Sequence, residues 1–286
     1  MKSNERKIRV AFQGEHGAFS ETAALWLLGE SIETKPRPTF ESLFEAINEN
    51  EADLILAPVE NTLAGTVHRS YELLIESGLH VIGECIIPIE HNLIGCDDSD
   101  LDSICVVESH PVALAQCENF FVANPQIERR ASNDTAASVR RVVESRDKSI
   151  AAIASKRAAE VYGGKILKAN IEDHKENYTR FFLLSNELKI EPEADKISLV
   201  VRLSHKPGAL HNALKPFAEK GINLLKIESS PIKGTPWEYQ FYLDLQSHIE
   251  TKDMKNALEE LGENTTEIKI LGCYKSAQRN FKTAII

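Results

Sequence analysis

Short apolar runs of strand character alternate with segments of helical periodicity from residue 8 to residue 184, and after one polar linker the alternation starts again. Residues 8–12 (IRVAF) and 53–59 (DLILAPV) read as strands. Between them a helix is expected over 20–28, and Phe40, Leu43, Phe44 and Ile47 recur at helical spacing. Residues 66–75 read as helix and 80–95 as one long β-prone stretch. Strands over 104–107, 127–131 and 150–153 then alternate with helices over 112–122 and 134–143. A helix over 156–162 and strands over 164–169 and 179–184 complete the series. A chain patterned this way needs a sheet covered by helices, an α/β architecture. Ligands of such sheets bind beyond the carboxyl ends of the strands, so chemistry is expected in the loops that follow them.

Residues 186–196 are a polar linker containing Glu191, Pro192 and Glu193. Beyond it the order is strand 197–203, helix 209–218 entered through Pro207-Gly208, strands 222–228 and 237–245, helix 253–261 and strand 266–271. This βαββαβ order is the ferredoxin-like plan, which by itself says nothing of function. Residues 276–286 read as a tail. A length of 286 residues suits two domains, and 42% apolar residues suffice for their cores. The net charge of −10 gives no electrostatic reason to expect nucleic acid or an anionic membrane as partner. An acidic protein that handles a small anion must instead gather N–H donors or cations locally. No apolar run is long enough to span a bilayer, and residues 1–7 lack the apolar core of a signal peptide. The five cysteines (Cys85, Cys96, Cys105, Cys117, Cys273) are odd in number and show no C-x-x-C pair, the pattern of buried reduced thiols in a cytoplasmic protein.

Four junctions between strand and helix carry polar clusters. Residues 13–20 (QGEHGAFS) offer glycines and a helix start, where free N–H groups can meet an anion; an ordinary tight turn fits the same residues. Residues 58–66 (PVENTLAGT) bring Glu60, Asn61 and Thr62 to a strand end. Ser109-His110-Pro111 and Asn133-Asp134-Thr135 precede two more helices, in positions that suit capping as well as binding. In 177–182 (NYTRFF), Thr179 and Arg180 interrupt an apolar strand; a buried guanidinium needs an anionic partner, either a substrate carboxylate or an internal one. The dinucleotide and Walker fingerprints, the G-x-S-x-G elbow and metal-ligand spacings are absent from the sequence. Residue types alone therefore reach an α/β enzyme or binding protein for a small anion.

Taken in order, these segments resemble the prephenate dehydratase family: GEHGAFSE at 14–21, PVENTLAGTV at 58–67, HPVALAQC at 110–117, NDTA at 133–136, AAIAS at 151–155 and NYTRF at 177–181. The C-terminal segment resembles an ACT domain, with PGAL at 207–210 and IESSP at 227–231. The resemblance implies a catalytic domain over 1–186 with the two-lobed fold of periplasmic binding proteins. Its lobes would be 7–80 with 175–185, and 81–174; an ACT domain would span 196–275. It implies Thr179 as the main catalytic residue with Arg180 and Phe181 beside it. Ser20, Glu60, Asn61, Thr62, Asn133, Thr135 and Asn177 would contact substrate.

The implied reaction is loss of CO₂ and hydroxide from prephenate to give phenylpyruvate. Aromatisation drives it, so neither cofactor nor metal is expected. Arg180 would anchor the retained side-chain carboxylate. L-Phenylalanine would act as feedback effector at Gly208, Ala209, Leu210, Asn223, Leu224, Glu228 and Ser229, in a homodimer or homotetramer. Two departures stand out: Glu15 or His16, and Ala18, stand where the family often has Pro and Thr or Ser, and Ser230 replaces the arginine of the regulatory motif. His68-Arg69 looks like plant-type arogenate dehydratases. Arogenate dehydratase, and a non-catalytic amino-acid sensor on the same fold, are the alternative readings.

Overall fold

The computed structural model describes residues 6–232, 234–235 and 237–277. The first elements are β1 (Arg9–Gln13), α1 (Phe19–Leu28), β2 (Glu33–Arg37), α2 (Phe40–Glu45), β3 (Leu54–Asn61), β4 (Gly65–Thr66), α3 (His68–Ser77) and β5 (His80–Pro88). Next come β6 (Asn92–Gly95), β7 (Val106–Ser109), α4 (Pro111–Ala115), α5 (Glu118–Ala123), β8 (Glu128–Ala131), α6 (Thr135–Ser145), β9 (Ile150–Ala154), α7 (Lys156–Tyr162), β10 (Lys165–Lys168) and β11 (Tyr178–Ser185). The last are β12 (Lys196–Arg202), α8 (Ala209–Glu219), β13 (Asn223–Pro231), β14 (Tyr239–Gln246), α9 (Lys252–Glu263) and β15 (Glu267–Tyr274).

The first sheet has the order β2-β1-β3-β11-β5, with β4 folded back onto β3, and β1 runs parallel to both of its neighbours. The second has the order β10-β6-β9-β7-β8. There β7 is parallel to β8 and β9, while β6 is antiparallel to β9 and β10. These are the two α/β lobes of a periplasmic-binding-protein-like fold. A core of Phe12, Ala18, Ile94, Ala136, Val139 and Ala158 joins the start of the first lobe to α6, α7 and β9. Phe120, Phe121, Leu93, Val107 and Ile153 fill the other face of the second sheet.

The third sheet, β13-β14-β12-β15, is antiparallel and carries α8 and α9, the ferredoxin-like arrangement of an ACT domain. Leu199, Val201, Phe217, Leu243, Met254 and Leu261 form its core. Compactness divides the chain into two units: one runs to Ser70 and resumes over Ile86–Phe181, the other takes Tyr71–Cys85 and everything from Phe182 onward. Helix α3 and the first half of β5 therefore pack with the ACT sheet. Tyr71 packs tilted against Tyr242 with ring centroids 4.4 Å apart, Phe182 meets Tyr274 edge-on, and Glu84 accepts from Lys196 Nζ at 2.6 Å.

Four elements differ from the sequence expectation. Strand β2 was not foreseen because Pro36 interrupts it; the strand is tolerated at the sheet edge, where a missing donor costs no ladder bond. The β-prone stretch 80–95 is two strands in different sheets, so the second sheet begins at β6 and not at residue 81. The expected helix 66–75 starts later, since Gly65 and Thr66 pair with Asn61 and Glu60. The expected helix 112–122 is broken at Gln116-Cys117, and the Asp173 carboxylate caps the new start by accepting from Glu118 and Asn119 N–H at 2.8 and 3.0 Å. The tail assigned to 276–286 lies outside the described residues from 278 on. No helix among the described residues is long and apolar enough to cross a membrane. Four of the cysteines are buried and Cys105 is exposed; burial pushes the Cys85 thiol up to about 12.

Candidate active site

A cavity of about 330 Å³, the size of a small-metabolite site, opens within the first unit between the two lobes. Its floor comes from strand ends and helix starts. Gln13 ends β1, Phe19 and Ser20 open α1, Pro58 and Asn61 end β3, and Asn133, Asp134 and Thr135 lead into α6. Phe40, Val67, Ile89 and Phe181 supply an apolar wall. The helix starts of α1 and α6 face the cavity together. The free N–H groups of a first helical turn favour an anion, although Asp134 occupies one of them by accepting from Ala137 N–H at 2.8 Å.

Thr179 sits at the cavity edge of β11, and period-two alternation decides its company. Thr179 and Phe181 border the cavity, while Arg180 between them does not. Arg180 is buried and lies 3.7 Å from the Glu60 carboxylate. The expected trio of Thr179, Arg180 and Phe181 is thus split. Arg180 faces the internal carboxylate, because a strand cannot turn three consecutive side chains to one side. Glu60 goes with it. Thr62 fastens the start of β11: its Oγ1 donates to Glu176 O at 2.7 Å and accepts from Tyr178 N–H at 2.9 Å. Of the other expected contacts, Ser20, Asn61, Asn133 and Thr135 border the cavity, and Asn177 lies behind it, fully buried.

Asn61 and Asn177 nonetheless belong to one polar chain. Leu63 and Ala64 N–H donate to Asn61 Oδ1 at 3.0 and 2.8 Å, so Asn61 Nδ2 faces β11. From there it donates to Asn177 Oδ1 at 2.8 Å and to Thr179 Oγ1 at 2.9 Å. Asn177 Nδ2 donates to Gln116 Oε1 at 2.9 Å, and His91 Nε2 approaches that same oxygen at 2.8 Å. Because Asn61 fills an acceptor site on Thr179, the threonine's own hydrogen remains available to a ligand. Gln116 and His91, both bordering the cavity, were not foreseen. His91 ends no clear strand, and Gln116 lay inside an expected helix. Gln13, Phe19 and His110 were within segments singled out for their position but were assigned no role.

The loop at 14–17 is anchored by a buried carboxylate. Glu21 accepts from Gly17 N–H, His16 Nδ1, Thr34 Oγ1 and Arg157 Nε at 2.8–2.9 Å. Burial alone would raise its pKa, but the bonds from Gly17, His16, Arg157 and Thr34 outweigh that and hold it at about 2. Gly17 itself has φ +87°, and an added Cβ would stand 2.7 Å from Ala158 Cα. Glu15, one of the departures in this loop, pairs with Arg140 at 3.1 Å.

In the ACT unit, Gly208 (φ +80°) is the N-cap of α8, followed by Ala209 and half-buried Leu210. Ala209 borders a cavity lined also by Ser204, Lys206, Asn212 and residues 263–266. Asn223 and Ser229 are exposed on β13, whereas Leu224 packs on the core and half-buried Glu228 lies near Lys226. The effector residues therefore divide between the two faces of β13.

Comparison with known proteins agrees with this architecture. Residues 10–189 match the prephenate dehydratase family and residues 197–263 the ACT domain. The chain is 39% identical to arogenate dehydratase/prephenate dehydratase 1 of Arabidopsis thaliana, over 95% of this chain and 73% of that one. It superposes with TM-score 0.85 and 29% identity on prephenate dehydratase from Arthrobacter aurescens in complex with L-Phe, covering 94% and 90% of the two chains. The structure of GqqA, a novel type of quorum quenching acylase, gives TM-score 0.86 at 34% identity, covering 94% of this chain and 98% of that one. The chain belongs to the prephenate dehydratase family and carries a C-terminal ACT domain.

Proposed function

We propose that the cavity converts prephenate to phenylpyruvate with the Thr179 hydroxyl as donor to the departing ring hydroxyl. The observation that carries this reading is the bond from Asn61 Nδ2 to Thr179 Oγ1, which leaves the threonine O–H to the ligand. In the reaction the ring-carboxylate C–C bond breaks, its electron pair enters the ring, and the C–O bond pair leaves with the oxygen. The products are CO₂, hydroxide and phenylpyruvate. Aromatisation supplies the driving force. A threonine hydroxyl is a weak acid, so its help is orientation and charge stabilisation at the leaving oxygen. The α1 and α6 starts suit the retained carboxylate. The apolar wall of Phe40, Val67, Ile89 and Phe181 suits the ring and the carboxylate that is lost, since strong donors there would stabilise the ground state.

L-Phenylalanine is the proposed effector. The start of α8 after Gly208 suits its carboxylate, and Ala209, Leu210, Asn223, Leu224, Glu228 and Ser229 are the further contacts proposed, in a homodimer or homotetramer. A cytoplasmic location accords with the burial of Cys85, Cys96, Cys117 and Cys273 as free thiols.

Arogenate is the second substrate reading, supported by the Arabidopsis relative's double name. An acyl-transfer reading finds less support at Thr179, whose partner Asn61 is a donor; a nucleophilic hydroxyl needs a base. Incubating the purified protein separately with prephenate and arogenate separates these readings. Phenylpyruvate supports the first and phenylalanine the second, and no product from either rejects both.

A further inference from the structure

We propose that His91 Nδ1 accepts the hydrogen of the substrate's ring hydroxyl. The proposal rests on prephenate as ligand and deepens that reading by assigning a group to the hydroxyl's hydrogen.

A chain of donors and acceptors fixes where the imidazole proton must be. It starts at backbone, which cannot be flipped: Leu63 and Ala64 N–H both donate to Asn61 Oδ1. Asn61 therefore presents nitrogen to Asn177 Oδ1, and Asn177 presents nitrogen to Gln116 Oε1. Gln116 Oε1 can only accept, so the His91 nitrogen 2.8 Å from it, Nε2, must carry the hydrogen. Nδ1 is then a bare lone pair. It is buried without a hydrogen-bond partner, on a residue that is 2% exposed and borders the cavity. Burial holds the imidazole's pKa below its ordinary value; the Gln116 bond and the nearby Glu172 carboxylate oppose this without reversing it. The ring is therefore neutral at neutral pH. Phe19, which also borders the cavity, stands edge-on to the imidazole with centroids 5.6 Å apart.

A buried acceptor left without a donor is costly, and a ligand that brings one recovers that cost. Prephenate has two carboxylates and a ketone, all acceptors at neutral pH. Its ring hydroxyl is its one donor, hence the one group that satisfies Nδ1. Held there by its hydrogen, the hydroxyl keeps its lone pairs for the Thr179 O–H. His91 and Thr179 would then grip the same oxygen from opposite senses.

Phenylpyruvate lacks the ring hydroxyl, and this gives the test. His91→Gln keeps an N–H for Gln116 and removes the δ acceptor; His91→Asn restores an oxygen near the δ position. The expected result is that H91Q raises KM for prephenate about tenfold, leaves inhibition by phenylpyruvate within about twofold of wild type, and that H91N recovers most of the loss. Equal weakening of prephenate and phenylpyruvate, or an unchanged KM in H91Q, overturns the proposal while leaving the dehydratase reading intact. Wild-type enzyme that fails to turn over prephenate overturns both. Nitrogen-15 NMR of histidine-labelled wild-type protein needs no variant. An Nε2–H tautomer for His91 supports the proposal, and an Nδ1–H tautomer overturns it.

Discussion

Asn61 Nδ2 lies 2.9 Å from Thr179 Oγ1, and Asn61 Oδ1 is held by two backbone N–H groups, so the direction of this hydrogen bond is fixed. Asn61→Asp keeps the backbone bonds and reverses the one to Thr179, whose hydrogen would then be spent on the new carboxylate. Steady-state kinetics should show kcat lower by about a hundredfold or more, and Thr179→Val, which leaves Asn61 and the chain to His91 in place, should lower kcat similarly with little change in KM. Thr179→Ser, which keeps the hydroxyl, should retain most activity. Near-normal turnover in Thr179→Val would remove that side chain from the mechanism.

Glu21 gives the protein an acid-sensitive anchor. Its folded pKa of about 2 lies below the ordinary value of 4.5, so its contribution is present above pH about 4.5 and is lost as pH falls from there towards 2. The contribution should be on the order of 3 kcal/mol. Urea titrations between pH 7 and pH 3 should show a steep fall in wild-type stability and a shallower one in Glu21→Gln, which starts lower. Parallel curves would assign the acid sensitivity to other groups.

Gly272 of β15 packs directly on β5: a Cβ there would stand 2.0 Å from Val81 O, a backbone atom that cannot swing away. Gly272→Ala should lower stability by about 2–4 kcal/mol through overpacking. Thermal unfolding followed by circular dichroism checks this; an unchanged Tm would mean that the ACT sheet is held less closely to α3 and β5 in solution.

At the start of α8, Gly208 has φ +80° and open space around its missing Cβ. Gly208→Val should therefore strain the backbone modestly and obstruct an amino-acid ligand. Feedback inhibition by L-phenylalanine should weaken at least about tenfold, a coupling loss of about 1.4 kcal/mol, while uninhibited turnover stays near wild type. Inhibition like that of the parent would place the effector elsewhere.

Much of this protein is local, and what is local could be read directly. The alternation of strands and helices, the restart at residue 197 and the polar clusters at strand ends follow from side-chain periodicity within windows of ten or so residues. So did the segments that line the cavity, because loops after parallel strands gather at one edge of a sheet. Arg180 shows the first limit: the sequence marks a buried cation on a strand, and only the tertiary structure brings Glu60 to it as the internal partner. Gln116 shows the second. Its helix breaks because Asp173, 55 residues away from Glu118, captures the N–H groups beyond it.

The tautomer of His91 lies furthest from the sequence. It is set by backbone amides at Leu63 and Ala64 through Asn61, Asn177 and Gln116, bonds that span up to 116 residues of chain. The sequence by itself determined which residues the protein has for its chemistry and which segments bring them to one edge. Tertiary structure decided which way each faces and where each proton sits, because hydrogen bonds between distant segments leave no periodic trace along the chain.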